Sequence, residues 1–214
     1  LLATVALGDV NISQCLYLPG ARRLVLCQSD GAILFWDLDQ LSGTLTTNID
    51  APGQRINLIP QTGHHNPVSA LAFSSAGRWL ASGSTDGQVL LWDLRADLHR
   101  APLIAKDAVE HLWFSPDDRY LVVQTSKEVQ LWSPETAKME RVFDAFETFY
   151  QPAANTLLVA LNSAFHTVQL WRPGNADAPY KKVKLPTANQ WWAFAALSPD
   201  CRYLLMTDFD QNIM

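Results

Sequence analysis

The chain has 214 residues, 48% of them hydrophobic and 17% charged, which is enough to bury a substantial core and unlike a disordered composition. Its 21 acidic and 16 basic residues leave a formal net charge of −5, which argues against nucleic acid as a partner, since counterion release needs clustered Lys and Arg. No apolar run approaches the ~20 residues of a membrane span, so no membrane association is expected.

The opening Leu1-Leu2-Ala3-Thr4-Val5-Ala6-Leu7 lacks the basic flank and small-residue cleavage site of a signal peptide, and it lacks an initiator Met. The expectation is a segment cut from a longer chain. Residues 12–37 carry two apolar runs around the turn Asp30-Gly31 and end at Trp36-Asp37. Between Asp37 and Gln61 come extra residues with Gly43, Pro52 and Gly53, read as an enlarged loop. The stretch 63–94 then opens at Gly63-His64, passes Arg78-Trp79-Leu80-Ala81-Ser82-Gly83-Ser84-Thr85-Asp86-Gly87, and closes at Trp92-Asp93. Shifted back by 56 positions, it lies without gaps on 12–37: Leu80 on Leu24, Asp86-Gly87 on Asp30-Gly31, Trp92-Asp93 on Trp36-Asp37.

A third copy runs from His111 through Ser115-Pro116-Asp117-Asp118-Arg119-Tyr120 to Leu131-Trp132. A fourth follows the apolar run from Thr156 to Ala160 and closes at Leu170-Trp171. Next, Lys181-Lys182-Val183-Lys184 alternates as the exposed side of a strand would. A fifth copy begins at Trp191 and carries Ser198-Pro199-Asp200-Cys201-Arg202-Tyr203. Displaced by 124, its Asp210 falls on Asp86 and Met214 on Leu90. The closing tryptophans, Trp36, Trp92, Trp132 and Trp171, are 56, 40 and 39 positions apart.

Within each copy the pattern is all strand. Ser69-Ala70-Leu71-Ala72-Phe73 and Gln88-Val89-Leu90-Leu91-Trp92 are short β-rich runs, and signals such as Ser75-Ala76-Gly77 and Thr85-Asp86-Gly87 separate them. No segment shows sustained helical periodicity with caps. Four-stranded antiparallel units are the economical reading.

From Gly63-His64 to Trp92-Asp93 the chain closely resembles one complete WD40 repeat, and the later spacings fit the ~40–45 residue period of that family. The resemblance implies an all-β, WD40-type β-propeller, present here as four blades plus part of a fifth. The expected boundaries are 1–7 (last strand of a preceding blade), 8–62 (blade with the long loop), 63–104 (best-matching blade), 105–143, 144–187 and 188–214 (truncated blade). The parent is expected to have about seven blades.

The resemblance also implies a hydrogen-bonded tetrad of His64, Ser82, Asp86 and Trp92. A buried imidazole and indole N–H each need a partner, and the Asp would fix the imidazole tautomer. His, Asp and Ser also spell a hydrolase triad, but a catalytic serine needs exposure and oxyanion donors, whereas this one would point at a tryptophan inside a blade. The other copies have lost most of the set, with Leu26 at the Ser82 position in the first and Ser126-Lys127-Glu128 replacing the Asp turn in the third. Those blades are expected to rely more on apolar packing.

No catalytic, cofactor-binding or metal-binding residues are expected. His64 and His65 are adjacent, so their side chains diverge, and no HExxH or CxxC companion exists. No Walker A or dinucleotide loop is present. The Asn11-Ile12-Ser13 sequon is of a kind common by chance. Cys15, Cys27 and Cys201 form no disulfide framework and are expected as reduced, half-buried thiols, which fits a reducing, cytoplasmic setting.

What remains is surface. The family implies partner binding on the loop face, here His65, Asn66 and Thr85, with Phe149 in the fourth blade and Gln190 and Trp191 in the fifth. Aromatics beside polar groups are the usual interface anchors. The expected function is a non-catalytic protein-protein interaction scaffold or sensor with a signalling role. The generic repeat at 76–87 resembles the WD40 arrays of bacterial multidomain regulators, which would imply a fused NTPase, kinase or protease-like domain outside this segment. The alternative is a propeller enzyme with a central-channel active site, of hydrolase or quinone-dependent dehydrogenase type. It would need ionisable side chains converging from several blades.

Overall fold

A computed structural model describes residues 11–18, 23–37, 64–95, 98–99, 102–144, 147–151, 157–162, 167–172, 181–184, 192–198 and 202–208. The expectations placed on 1–10, on the enlarged loop after Asp37 and on the last residues, 209–214, lie outside them. Every regular element among the described residues is a β-strand. The first sheet orders β1 (Ile12–Leu18), β2 (Arg23–Gln28) and β3 (Ile33–Asp37). The second orders β4 (Val68–Phe73), β5 (Trp79–Ser84) and β6 (Gln88–Asp93). Its outer strand comes in two pieces, β7 (Leu98–His99) and β8 (Leu103–Ile104), both paired with β6. Pro102, which has no N–H to give a ladder, stands between the pieces.

The third sheet orders β9 (Val109–Phe114), β10 (Leu121–Thr125), β11 (Glu128–Ser133) and β12 (Lys138–Asp144). The fourth orders β13 (Glu147–Gln151), β14 (Leu157–Asn162), β15 (Thr167–Trp171) and β16 (Lys181–Lys184). The fifth contains β17 (Trp192–Leu197) and β18 (Leu204–Asp208). The pairings are antiparallel. This is the expected succession of blade-like sheets.

The repeat is visible in the register. A leucine on the second strand faces the closing tryptophan on the third in four sheets: Leu24 with Trp36, Leu80 with Trp92, Leu121 with Trp132 and Leu158 with Trp171. The first strands β1, β4 and β17 each carry a bulge, at Ser13, Ser69 and Ala193, and these are equivalent positions of the repeat. The hairpin between first and second strands is closed by a serine. Ser74 Oγ accepts the N–H of Trp79, Ser115 Oγ that of Tyr120, and Ser198 Oγ that of Tyr203. One short polar side chain here satisfies backbone donors that the turn would otherwise leave open.

The chain divides into two compact units, Leu1–Leu112 and Trp113–Met214. In the first, Val25, Cys27, Ile33 and Phe35 of the first sheet pack on Val68, Leu80, Leu90 and Trp92 of the second. Leu80 and Leu91 are fully buried, and each such side chain stabilises the fold by about 1.5–3 kcal/mol. In the second unit the core joins Tyr120, Val122, Val129, Leu131 and Phe143 to Trp171, with the Phe143 and Trp171 rings edge to face at 4.9 Å. The two described cysteines are not both half-buried as the sequence suggests. Cys15 is exposed, while Cys27 lies in the first core, where burial and then the neighbouring Cys15 push its thiol up to about 12. Pleat alternation separates them: Cys15 pairs with Leu26, so Cys27 points to the other face.

Candidate interaction face

The second sheet organises one end of the first unit. His64 and Ser82 are both buried, and His64 Nε2 lies 2.8 Å from Ser82 Oγ and 3.1 Å from Ser82 O. This contact ties the loop before β4 to the middle of β5. Of the other residues expected with this pair, Asp86 closes its own turn, its Oδ1 accepting the Gln88 N–H at 2.9 Å, and Trp92 fills the core. Asp30 does the same one blade earlier, accepting the Ala32 N–H at 3.0 Å. Ser82 is fully buried, so its hydroxyl has no route to a substrate, and the His64–Ser82 pair is not a hydrolase centre. His64 points inward and His65 outward, as expected for adjacent residues. Among the described residues no three His, Cys, Asp or Glu side chains are placed to hold a metal ion.

Around this anchor the exposed residues are held rigidly. His65, Asn66, Pro67 and Thr85 are all exposed. Thr85 N–H reaches the carbonyl of Pro67 at 3.4 Å, and Ser84 Oγ donates to that of Asn66 at 3.3 Å. The same rung stands in the first sheet, where Ser29 N–H donates to Asn11 O at 2.9 Å. Each Asp-Gly turn also abuts the chain entering the next sheet. A Cβ on Gly31 (φ +89°) would collide with the carbonyl oxygen of His64, and one on Gly87 (φ +80°) would come within 3.0 Å of Asp107 O. The Ala105 N–H donates to Gly87 O at 2.8 Å. The turn of one blade and the opening loop of the next therefore form one surface, on which Asp30, His65, Asn66, Thr85 and Lys106 are exposed.

Phe149 stands in the middle of β13, paired with Val159, and not in the loop before it. Glu147–Gln151 pairs along its whole length with Leu157–Leu161. Gln190 and Trp191 lie outside the described residues. Trp36 takes its place in β3, opposite Leu24.

The third sheet adds a polar chain to its apolar packing. Buried Trp132 donates its indole N–H to Gln130 Oε1 at 2.8 Å, and Gln130 Nε2 donates to Glu128 Oε1 at 2.6 Å. The i, i+2, i+4 spacing of Glu128, Gln130 and Trp132 puts all three on one strand face, a signal that sequence reasoning overlooked. The turn there is held by Thr125, whose Oγ1 accepts the N–H groups of Lys127 and Glu128. At the opposite end of the second sheet, Arg78 donates through Nε and Nη2 to buried Asp93, at 3.1 and 2.9 Å, while lying over the Trp79 ring. The third sheet keeps the stacked pair, Arg119 over Tyr120, but has Ser133 at the Asp93 position.

The family model described as "WD domain, G-beta repeat" matches residues 57–93. The small ribosomal subunit protein RACK1 of Schizosaccharomyces pombe is 38% identical over 74 residues, 35% of this chain and 24% of that protein. The target of rapamycin complex subunit wat1 of the same yeast is 28% identical over 167 residues, 73% of this chain and 52% of that protein. The chain thus spans between about a quarter and a half of the relatives it matches. The crystal structure of the Cps50 (Swd1) β-propeller domain of Myceliophteria thermophila superposes with a TM-score of 0.63 at 14% identity, over 97% of this chain and 65% of that one. These relatives are eukaryotic, and the resemblance to bacterial multidomain regulators finds no support in them. Residues 57–93 are a WD40 repeat, and the chain has the all-β fold of a WD40-type β-propeller.

Proposed function

We propose that this chain is a non-catalytic protein-interaction scaffold or sensor module within a larger regulatory protein, and that its partner proteins engage the loop surface around His65, Asn66 and Thr85. The observation that carries this reading is the way the backbone beneath that surface is tied together. Exposed polar side chains from successive blades sit on a backbone fixed by the Thr85–Pro67 and Ser84–Asn66 bonds and by the close approach of Gly31 to His64. A preorganised surface loses little ordering entropy on binding. Relatives named as a ribosomal subunit protein and as a subunit of the target of rapamycin complex support a role inside assemblies. A cytoplasmic setting belongs to the same proposal, as does a fused NTPase, kinase or protease-like domain in the parent.

The test uses the full-length parent. Partners of the wild type are quantified against those of a His65→Ala, Asn66→Ala, Thr85→Ala variant with an unchanged unfolding midpoint. Selective loss of partners from the variant is the expected result. An unchanged partner set would remove these residues from the interface.

A further inference from the structure

We propose that the outer seam between β12 and β16 in the second unit binds an extended acidic peptide whose carboxylates alternate along the strand. Arg141 of β12 lies over the Trp171 ring at 4.7 Å and the Phe143 ring at 5.3 Å. Two aromatic faces hold its guanidinium flat, which fixes its donors before any ligand arrives. The β15–β16 register pairs Gln169 with Lys182 and Thr167 with Lys184. Antiparallel partners point to the same side, and so do residues two apart along a strand. Lys182 and Lys184 therefore share the sheet face of Trp171, on which Arg141 stacks. Both lysines are exposed and Arg141 is half-exposed.

Among the described residues none of these three cations is in an ion pair, and Glu140, the neighbour of Arg141, forms none with it. Lys182 and Lys184 thus lie on the sheet face where Arg141 stacks, and none of the three has an acidic partner among the described residues of a chain whose net charge is −5. The spacing selects the ligand. Lys182 and Lys184 are about 7 Å apart on one face, the repeat of alternate side chains in an extended strand. β16 is also the outermost strand of its sheet. Among the described residues no further strand pairs with that edge, which offers main-chain hydrogen bonds to an added strand while the lysines pair with every second residue of it. Three cations in a row are too few to hold a run of nucleic-acid phosphates or a membrane surface. Lysines on an edge ordinarily guard against pairing with neutral strands, and an acidic strand is the one that such an edge admits. None of the loop residues of the preceding section is involved, so either reading can fail alone.

The test measures fluorescence anisotropy of a labelled peptide of alternating Glu and Val with the full chain at low salt. Expected are saturable binding, a loss of about tenfold in Lys182→Glu with Lys184→Glu, and a loss of about twofold in Arg141→Lys, which keeps the charge but not the planar stack. A peptide of the same composition with its glutamates in one block is expected to bind more weakly. Circular dichroism and unfolding midpoints check that the variants fold. Equal binding by wild type and the double variant, or equal binding of the block peptide, would overturn the proposal. So would tighter binding of anionic vesicles or of polyuridylate than of the alternating peptide, which would assign the seam to a membrane or to nucleic acid.

Discussion

The second and third blades bury a tryptophan at the same register, Trp92 opposite Leu80 and Trp132 opposite Leu121, but surround it with different polar chemistry. In the second, a histidine from the opening loop reaches Ser82 on the neighbouring strand. In the third, buried Ala105 and Val123 occupy the equivalent positions, and the polar chain runs along a single strand from Trp132 through Gln130 to Glu128. The turns differ too. An Asp-Gly turn pressed against the next segment serves the second blade, and a turn bonded by Thr125 serves the third. The repeat therefore holds constant the apolar register, because leucine–tryptophan packing admits few solutions. The polar network is exchangeable as long as every buried donor finds an acceptor.

The turns offer the largest break in this comparison. Gly31→Ala combines a positive φ with a collision against the His64 carbonyl and is expected to cost about 3 kcal/mol in urea denaturation. Gly87→Ala, with its nearest backbone atoms at 3.0 Å, is expected to cost about 2 kcal/mol, and Lys127→Ala in the exposed turn of the third blade less than about 0.5. Equal effects at Gly87 and Lys127 would erase the distinction between the turns.

Next comes the polar chain of the third blade. Gln130→Leu leaves the Trp132 N–H buried without its acceptor, an expected loss of about 2 kcal/mol. Adding Trp132→Phe, which removes the stranded donor, should cost less than the two changes measured separately. Simple additivity would mean that the bond contributes nothing. In the second blade the counterpart is a double-mutant cycle on His64→Ala and Ser82→Val, the residues that the third blade carries. A coupling of about 1 kcal/mol is expected across the 2.8 Å contact.

The smallest effect sharpens the contrast between core and surface thiols. Cys15 should react with an aromatic disulfide under native conditions, whereas Cys27 should be labelled only on unfolding, as mapped by peptide mass. Because the folded state holds the Cys27 thiol neutral up to about 12 against 9.0 for the free group, its contribution to stability is complete below pH 9. That contribution is lost as pH rises from 9 towards 12. A stability rising over that window in the wild type but not in Cys27→Ala would contradict the assignment.

The fold was legible because its determinants are local and periodic. Asp30-Gly31 and Asp86-Gly87 mark left-handed turns, Ser115-Pro116-Asp117 marks a capped hairpin, and the Leu-to-Trp spacing fixes strand register. The exposure of His65, Asn66 and Thr85 beside those turns was legible in the same way. Phe149 was misplaced because strand and loop look alike in a short run whose pairing partner, Leu157–Leu161, is itself set by tertiary register. The Gln130 chain was missed for a different reason. Glutamine on a strand reads as a surface residue, yet this one is 1% exposed. Nor does sequence reveal that Arg141, four positions past a turn, would land on a tryptophan thirty residues later in the chain.

The bulges of the first strands carry a consequence for how such a chain drifts over time. Ser69 donates to the carbonyls of Gly83 in its own blade and Val109 in the next, and its own carbonyl accepts from Gln14 of the blade before. The acceptors in these attachments are peptide groups, which every residue possesses. Mutation at position 109 changes a side chain and leaves its carbonyl in place, whereas a side chain at Gly83 would collide with Val109. A blade can therefore shed its recognisable signature and still be stitched to its neighbours, which is how one clear repeat comes to sit beside several eroded ones.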